Sequence, residues 1–138
     1  MDESNGIITY FSMPHTDERG ALINIIENLP LDNFEIKNIF SVKTQQSNII
    51  RGNHAHYRIT QVIFNLVGTL DIEYYNNQGN DNMILHENHG VIIPPLTWVI
   101  IKTVSDYSIY MVFSNGKYEE SEYIRDIDKF YELIKNGD

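Results

Sequence analysis

Short runs of apolar, β-branched and aromatic residues recur along this chain, each closed by a cluster of turn-forming residues. The runs cover residues 6–11, 21–26, 36–42, 61–67, 70–75, 83–86, 91–93, 98–104 and 108–114. Between them lie Asp17-Glu18-Arg19-Gly20, Val67-Gly68, the polar stretch 76–81, His89-Gly90, Pro94-Pro95 and Asn115-Gly116. Short strands at a spacing of about 8–12 residues predict an all-β sandwich or barrel. A closed or rolled form also removes exposed sheet edges.

The period changes near the end of the sequence. Ile127, Phe130, Tyr131 and Ile134 fall at i, i+3, i+4 and i+7, the spacing of one helix face. Asp126 or Asp128 can cap the start, and Gly137 lies just past the last turn. This predicts a C-terminal helix packed on the outside of the β-structure. No linker, repeat or low-complexity segment divides the chain, so residues 1–138 read as one domain.

Composition narrows the function classes. The net charge of −9 argues against a nucleic-acid partner, because phosphate backbones demand basic surface. A small anionic ligand needs only a few of the ten Lys and Arg residues to converge in one pocket. With no cysteine, neither disulfides nor thiolate metal sites are available, which suits a reducing cytoplasm. The first residues lack a basic region followed by an apolar one, and no apolar run approaches the ~20 residues of a membrane span. The expectation is a soluble cytoplasmic protein with no membrane partner.

The chemistry-bearing stretch is Arg51-Gly52-Asn53-His54-Ala55-His56, followed by Thr60-Gln61 and Gly68. On a strand, positions two apart share a face, so His54 and His56 project into the same space. A short turn after His56 would let the next strand pair back and bring Gln61 near them. Gln61 is a neutral, weak ligand, and the proline turn Pro94-Pro95-Leu96-Thr97-Trp98-Val99 carries no histidine. Two imidazoles fall short of the three protein ligands of a usual catalytic metal site, so no metal is expected. His86 and His89 read as solvated loop residues. A metal-free histidine pair is suited to proton transfer near neutral pH. No Gly-x-Gly-x-x-Gly or Walker loop signals a nucleotide cofactor, and none is expected. Trp98, Ile100 and Lys102 share one face of their run; were that face internal, Lys102 would need an anionic partner.

The His-x-His, Gln61 and Gly68 spacing resembles the first motif of cupins. Together with 17–22, 35–40, the 94–98 turn and the tail 118–126, it makes the chain similar to the nucleotide-sugar 3,4-ketoisomerases. That resemblance implies a cupin jelly-roll β-barrel, commonly a homodimer, acting on dTDP-4-keto-6-deoxyglucose in the biosynthesis of 3-amino-3,6-dideoxy sugars. It implies His54 and His56 as the acid/base centre, with His56 favoured as the proton-abstracting member. It further implies substrate-binding roles for Arg51 and for Arg19 in its turn; Lys102, Trp98 and Gln61 complete the candidate binding set. The chain departs from the family pattern at Asn38-Ile39-Phe40-Ser41, where an Arg and tyrosines are common. It also has Tyr57 in place of a Lys and Val99 in place of a His. A nucleotide-sugar epimerase and a non-catalytic sugar-binding cupin are the competing readings. The N-terminal run 6–11 is the expected source of strand pairing in a homodimer.

Overall fold

The computed structural model describes residues 9–12, 16–25 and 29–137. Its strands are β1 Thr9–Ser12, β2 Thr16–Asp17, β3 Gly20–Ala21, β4 Asn38–Thr44, β5 Ile50–His56 and β6 Gln61–Val67. They continue with β7 Leu70–Asn76, β8 Gly79–Leu85, β9 His89–Ile93, β10 Trp98–Thr103, β11 Ser108–Ser114 and β12 Tyr123–Ile124. One 3₁₀ turn, Glu120–Glu122, precedes β12, and helix α1 spans Ile127–Gly137. Ten of these strands form two five-stranded antiparallel sheets, ordered β1-β9-β6-β11-β4 and β12-β5-β10-β7-β8. This is the expected all-β, cupin-like roll with a C-terminal helix.

Alternation along the strands sorts side chains into three apolar layers. Ile63, Ile72, Leu85, Val99, Ile101 and Val112 fill the space between the sheets. Val62, Phe64 and Phe113 point the other way and are covered by Ile23, Leu31 and Phe34 from the segment between β3 and β4. That cover explains why β6 reads as a continuous apolar run, since both of its faces are buried. Each such aliphatic or aromatic side chain contributes about 1.5–3 kcal/mol by leaving water.

The third layer seats the helix. Phe130 is fully buried against Trp98, Ala55 and Ile124, flanked by Ile127, Leu133 and Ile134. Asp126 caps α1: its side chain accepts from Asp128 N–H at 3.0 Å and its carbonyl from Phe130 N–H at 3.0 Å. Tyr131 departs from the expected apolar face and is exposed.

Several boundaries differ from the sequence reading. The polar stretch after Tyr75 is a tight hairpin rather than a long loop: Asn76 pairs with Gly79, and Asn80, Asp81 and Asn82 are strand residues opposite Tyr75, Tyr74 and Glu73. Backbone pairing to β7 overrides their low strand propensity. Strand β5 was not among the apolar runs, because its outer half is polar. It does not pair with β6 either: the two lie in different sheets, joined by residues 57–60 crossing between them. Glu122 holds that crossing, its carboxylate accepting from the backbone N–H groups of Arg58 and Ile59. The N-terminal run is described from Thr9, and β1 pairs with β9 of its own chain; residues 6–8 lie outside the described residues.

Candidate active site

A cavity of about 410 Å³ opens between the sheets, where edge strand β4 faces β5 and β12. Its floor is apolar, with Ile63, Val99, Ile101 and Val112. Arg51, His54, Gln61, Tyr110, Tyr123 and Arg125 supply its polar wall.

Placing Arg51 and His54 on one wall requires a fault in the strand. Residues three apart on a regular strand face opposite ways. Here Val99 is opposite His54 while Ile100 is opposite Gly52, leaving Asn53 as an extra, unpaired residue. Gly52 and Asn53 take φ of +82° and +61°, the left-handed region that glycine and asparagine tolerate. Gly52 is also confined by packing, since a Cβ there would lie 2.9 Å from the Val99 carbonyl oxygen. The bulge turns Asn53 outward, where its Oδ1 accepts from Trp98 Nε1 at 3.0 Å.

His54 and His56 do share a face, with ring centroids 5.2 Å apart. Tyr123, paired across from His56, packs against both rings at 4.9 and 4.4 Å. His54 lines the cavity, and His56 is buried beside it. The Nδ1 of His54 and both ring nitrogens of His56 are buried without a hydrogen-bond partner among the described residues. Burial pushes the His54 pKa down to about 4, helped by the neighbouring His56 and Arg125 and opposed by Glu120. Burial, followed by Arg125, pushes His56 down to about 4 as well. At neutral pH both imidazoles are therefore uncharged, and either can accept a proton.

The remaining wall groups complete the electrostatics. Burial raises Tyr110 to about 12 against the opposing pull of Arg51, so its phenol stays protonated. Arg125 lies with its guanidinium carbon 4.4 Å from the Tyr123 ring centroid. Gln61 is buried in the wall. Among the described residues, no three His, Cys, Asp or Glu side chains are grouped to hold a metal ion.

Three expected binding residues are placed elsewhere. Trp98 is a core residue beneath α1, its ring 5.5 Å from Phe130. Lys102 lies on the outer face of its sheet, beside Asp71 and Glu73, because Val99 and Ile101 take the inward positions of β10. Arg19 is in the β2–β3 turn with its side chain 86% exposed, paired to Asp17 at 2.8 Å, and does not line the cavity. Conversely, Tyr110, Tyr123, Arg125 and Glu120 were not singled out as site residues. The tail that carries three of them belongs to the family resemblance, but their roles depend on pairing with β5, about 70 positions away.

Comparison with known proteins bears on the family and the fold. The family model described as "FdtA: WxcM-like, C-terminal" matches residues 7–135. The chain belongs to this FdtA family. A curated relative in Aneurinibacillus thermoaerophilus, TDP-4-oxo-6-deoxy-alpha-D-glucose-3,4-oxoisomerase, is 29% identical over 119 residues, covering 86% of this chain and 85% of the relative. The crystal structure of a 3,4-ketoisomerase from Helicobacter canadensis superposes with a TM-score of 0.83 at 30% identity, over 94% of this chain and 98% of that one. The WlaRB TDP-quinovose 3,4-ketoisomerase of Campylobacter jejuni gives 0.80 at 28% identity, over 91% and 97%. These FdtA relatives are isomerases, and the present FdtA chain is a member of the same nucleotide-sugar 3,4-ketoisomerase family. None of its helices, among the described residues, is long and apolar enough to cross a membrane.

Proposed function

We propose that this FdtA-family chain is a TDP-4-keto-6-deoxyglucose 3,4-ketoisomerase in which His54 and His56 move the protons. One observation carries the reading. Two uncharged imidazoles lie edge to face, 5.2 Å between centroids, with buried ring nitrogens that no group among the described residues satisfies. A purely structural histidine in the core would be hydrogen-bonded. The substrate's hydroxyl and carbonyl oxygens at C3 and C4 are suitable partners.

The step conserves atoms and electrons. Because His54 and not His56 lines the cavity, His54 rather than the His56 favoured by the family resemblance is assigned to take the proton from C3. The C3–H electrons form a C3–C4 double bond, and the C4 carbonyl electrons move onto O4. An N–H of His56 stabilises that developing enediolate. Protonated His54 then delivers a proton to C4, the O3 hydrogen passes by way of His56 to O4, and the C3–O3 bond becomes the new carbonyl. No redox partner enters the balance. The apolar floor of Ile63, Val99 and Ile101 keeps bulk water from the charge as it forms. The 3-keto product is the electrophile that an amine-transferring reaction consumes, as a 3-amino-3,6-dideoxy sugar requires. We assign the reaction to the cytoplasm, and the active form to a homodimer.

The test is incubation of purified protein with TDP-4-keto-6-deoxyglucose in D2O, followed by NMR. A carbonyl carbon appearing at C3, with deuterium at C4, supports the reading. Deuterium entering C5 instead would replace it with an epimerase, and saturable binding without exchange would replace it with a sugar-binding cupin.

A further inference from the structure

The mouth of the cavity carries a charged assembly that the proton-transfer scheme does not use. Glu120 lies in the 3₁₀ turn just before β12, and Arg125 just after that strand. The Arg125 Nε donates to Glu120 Oε2 at 2.6 Å and its Nη2 to Oε1 at 3.1 Å, a forked pair. The Tyr118 hydroxyl donates to the same Oε1 at 2.8 Å. The Tyr118 ring packs on Tyr123 at 5.4 Å, and the Arg125 guanidinium stacks on the other partner of that contact at 4.4 Å. Tyr118, Glu120 and Tyr123 thus close a ring with the Arg125 guanidinium. Among the described residues only its Nε and Nη2 edge is used, and Arg125 also lines the cavity.

We infer that Glu120 is a positioning residue of the site: with Tyr118 it fixes the Arg125 guanidinium over Tyr123, so that the free N–H edge receives an anionic oxygen of the substrate. The inference rests on the nucleotide-sugar reading for the nature of that oxygen, which belongs either to the diphosphate or to the enediolate. Glu120 is suited to the task because Arg125 first, and Tyr118 second, hold its carboxyl down at about 2, so it is fully charged at any working pH. An unpaired surface arginine would spend most of its time in other rotamers. The forked pair and the stacked ring remove that freedom before the ligand arrives.

The experiment is a double-substitution cycle on the full chain, read by kcat, KM and calorimetric binding of TDP. Glu120→Gln is expected to lower kcat/KM by about 10-fold and Arg125→Lys by about 10- to 100-fold, as losing one charge-assisted pair does. The double variant is expected to be no worse than Arg125→Lys alone, because Glu120 acts through Arg125; a merely structural role would not produce that non-additivity. If the oxygen is the diphosphate's, TDP affinity falls in step with kcat/KM. If it is the enediolate's, TDP affinity holds and kcat falls. Additive losses in the double variant, or Glu120→Gln with unchanged TDP affinity and unchanged kcat, overturn the inference. Wild-type protein that binds TDP without moving the keto group would sink the ketoisomerase reading and leave this one to the TDP measurements. Protein that binds neither would overturn both.

Discussion

Strands β5 and β10 run side by side in one sheet and do opposite jobs. Strand β10 alternates without a fault: Val99 and Ile101 line the cavity floor, while Trp98, Ile100 and Lys102 face away from it. Strand β5 breaks its alternation at Gly52-Asn53, and the break brings Arg51 onto the wall that His54 occupies. The regular strand supplies the dry surface; the irregular one supplies polar groups of the wall. A shift of one residue in register reverses every side chain of a strand, so a single bulge is enough to turn a strand end from frame into site.

The comparison is broken most severely at the histidines. His54→Asn is expected to lower kcat by about 10²–10⁴-fold, the range for a lost general acid or base, with KM little changed. His56→Asn should impair turnover too, and both proteins should unfold near the wild-type temperature. Near wild-type turnover in both folded variants would remove β5 from the chemistry.

Acid comes next. With both histidines at about 4 in the folded protein, kcat/KM should stay level through neutrality and fall as pH drops through about 4. Stability follows the same groups with a definite sign. Unfolded histidines, near 6.5, bind protons that the folded ones refuse, so folding stability is full above about 6.5 and declines as pH falls towards about 4. An acid limb in kcat/KM centred near 6.5 would show that the pair is not desolvated.

The bulge itself is tested by Gly52→Ala. The new Cβ meets the Val99 carbonyl oxygen at 2.9 Å and must adopt a φ of +82°. Strain of this kind costs about 1–3 kcal/mol, read as a lowered midpoint in denaturant, and turnover should fall with it as His54 shifts. An unchanged midpoint would mean that β5 can hold its geometry without the left-handed glycine.

The smallest effect belongs to the regular strand. Lys102→Met, on the outer face, is expected to leave kcat and KM within about twofold and stability within about 0.5 kcal/mol, as for most surface substitutions. A large loss of TDP affinity would contradict the division between the two faces of β10.

How legible all this was depends on the range of the interaction concerned. Local patterns sufficed for β6, β10 and β11, whose β-branched and aromatic residues favour strands, and for α1 with its Asp126 cap. The histidine pair was legible because alternation operates over two residues. Strand β8 was not, since Asn80, Asp81 and Asn82 are strand only by virtue of their partners on β7. The orientation of Lys102 was open because both faces of β10 bear apolar residues, and only the three-dimensional layering says which lies inside. Tyr123 and Arg125 reach the site through the pairing of Tyr123 with His56 and of Ile124 with Ala55. That contact spans most of the later chain and leaves no periodic trace.

Trp98 is the single tryptophan in the sequence, and its indole is bound at one end to the bulge residue Asn53 and packed along its side by Phe130 of the helix. The molecule thereby carries its own optical probe, set between its site-forming strand and its C-terminal helix. In the native state the emission should be that of a shielded, hydrogen-bonded indole. It should move to longer wavelength if either the bulge or the helix lets water in. Time-resolved emission during refolding would then report, without any label, the moment at which the back of the site is sealed.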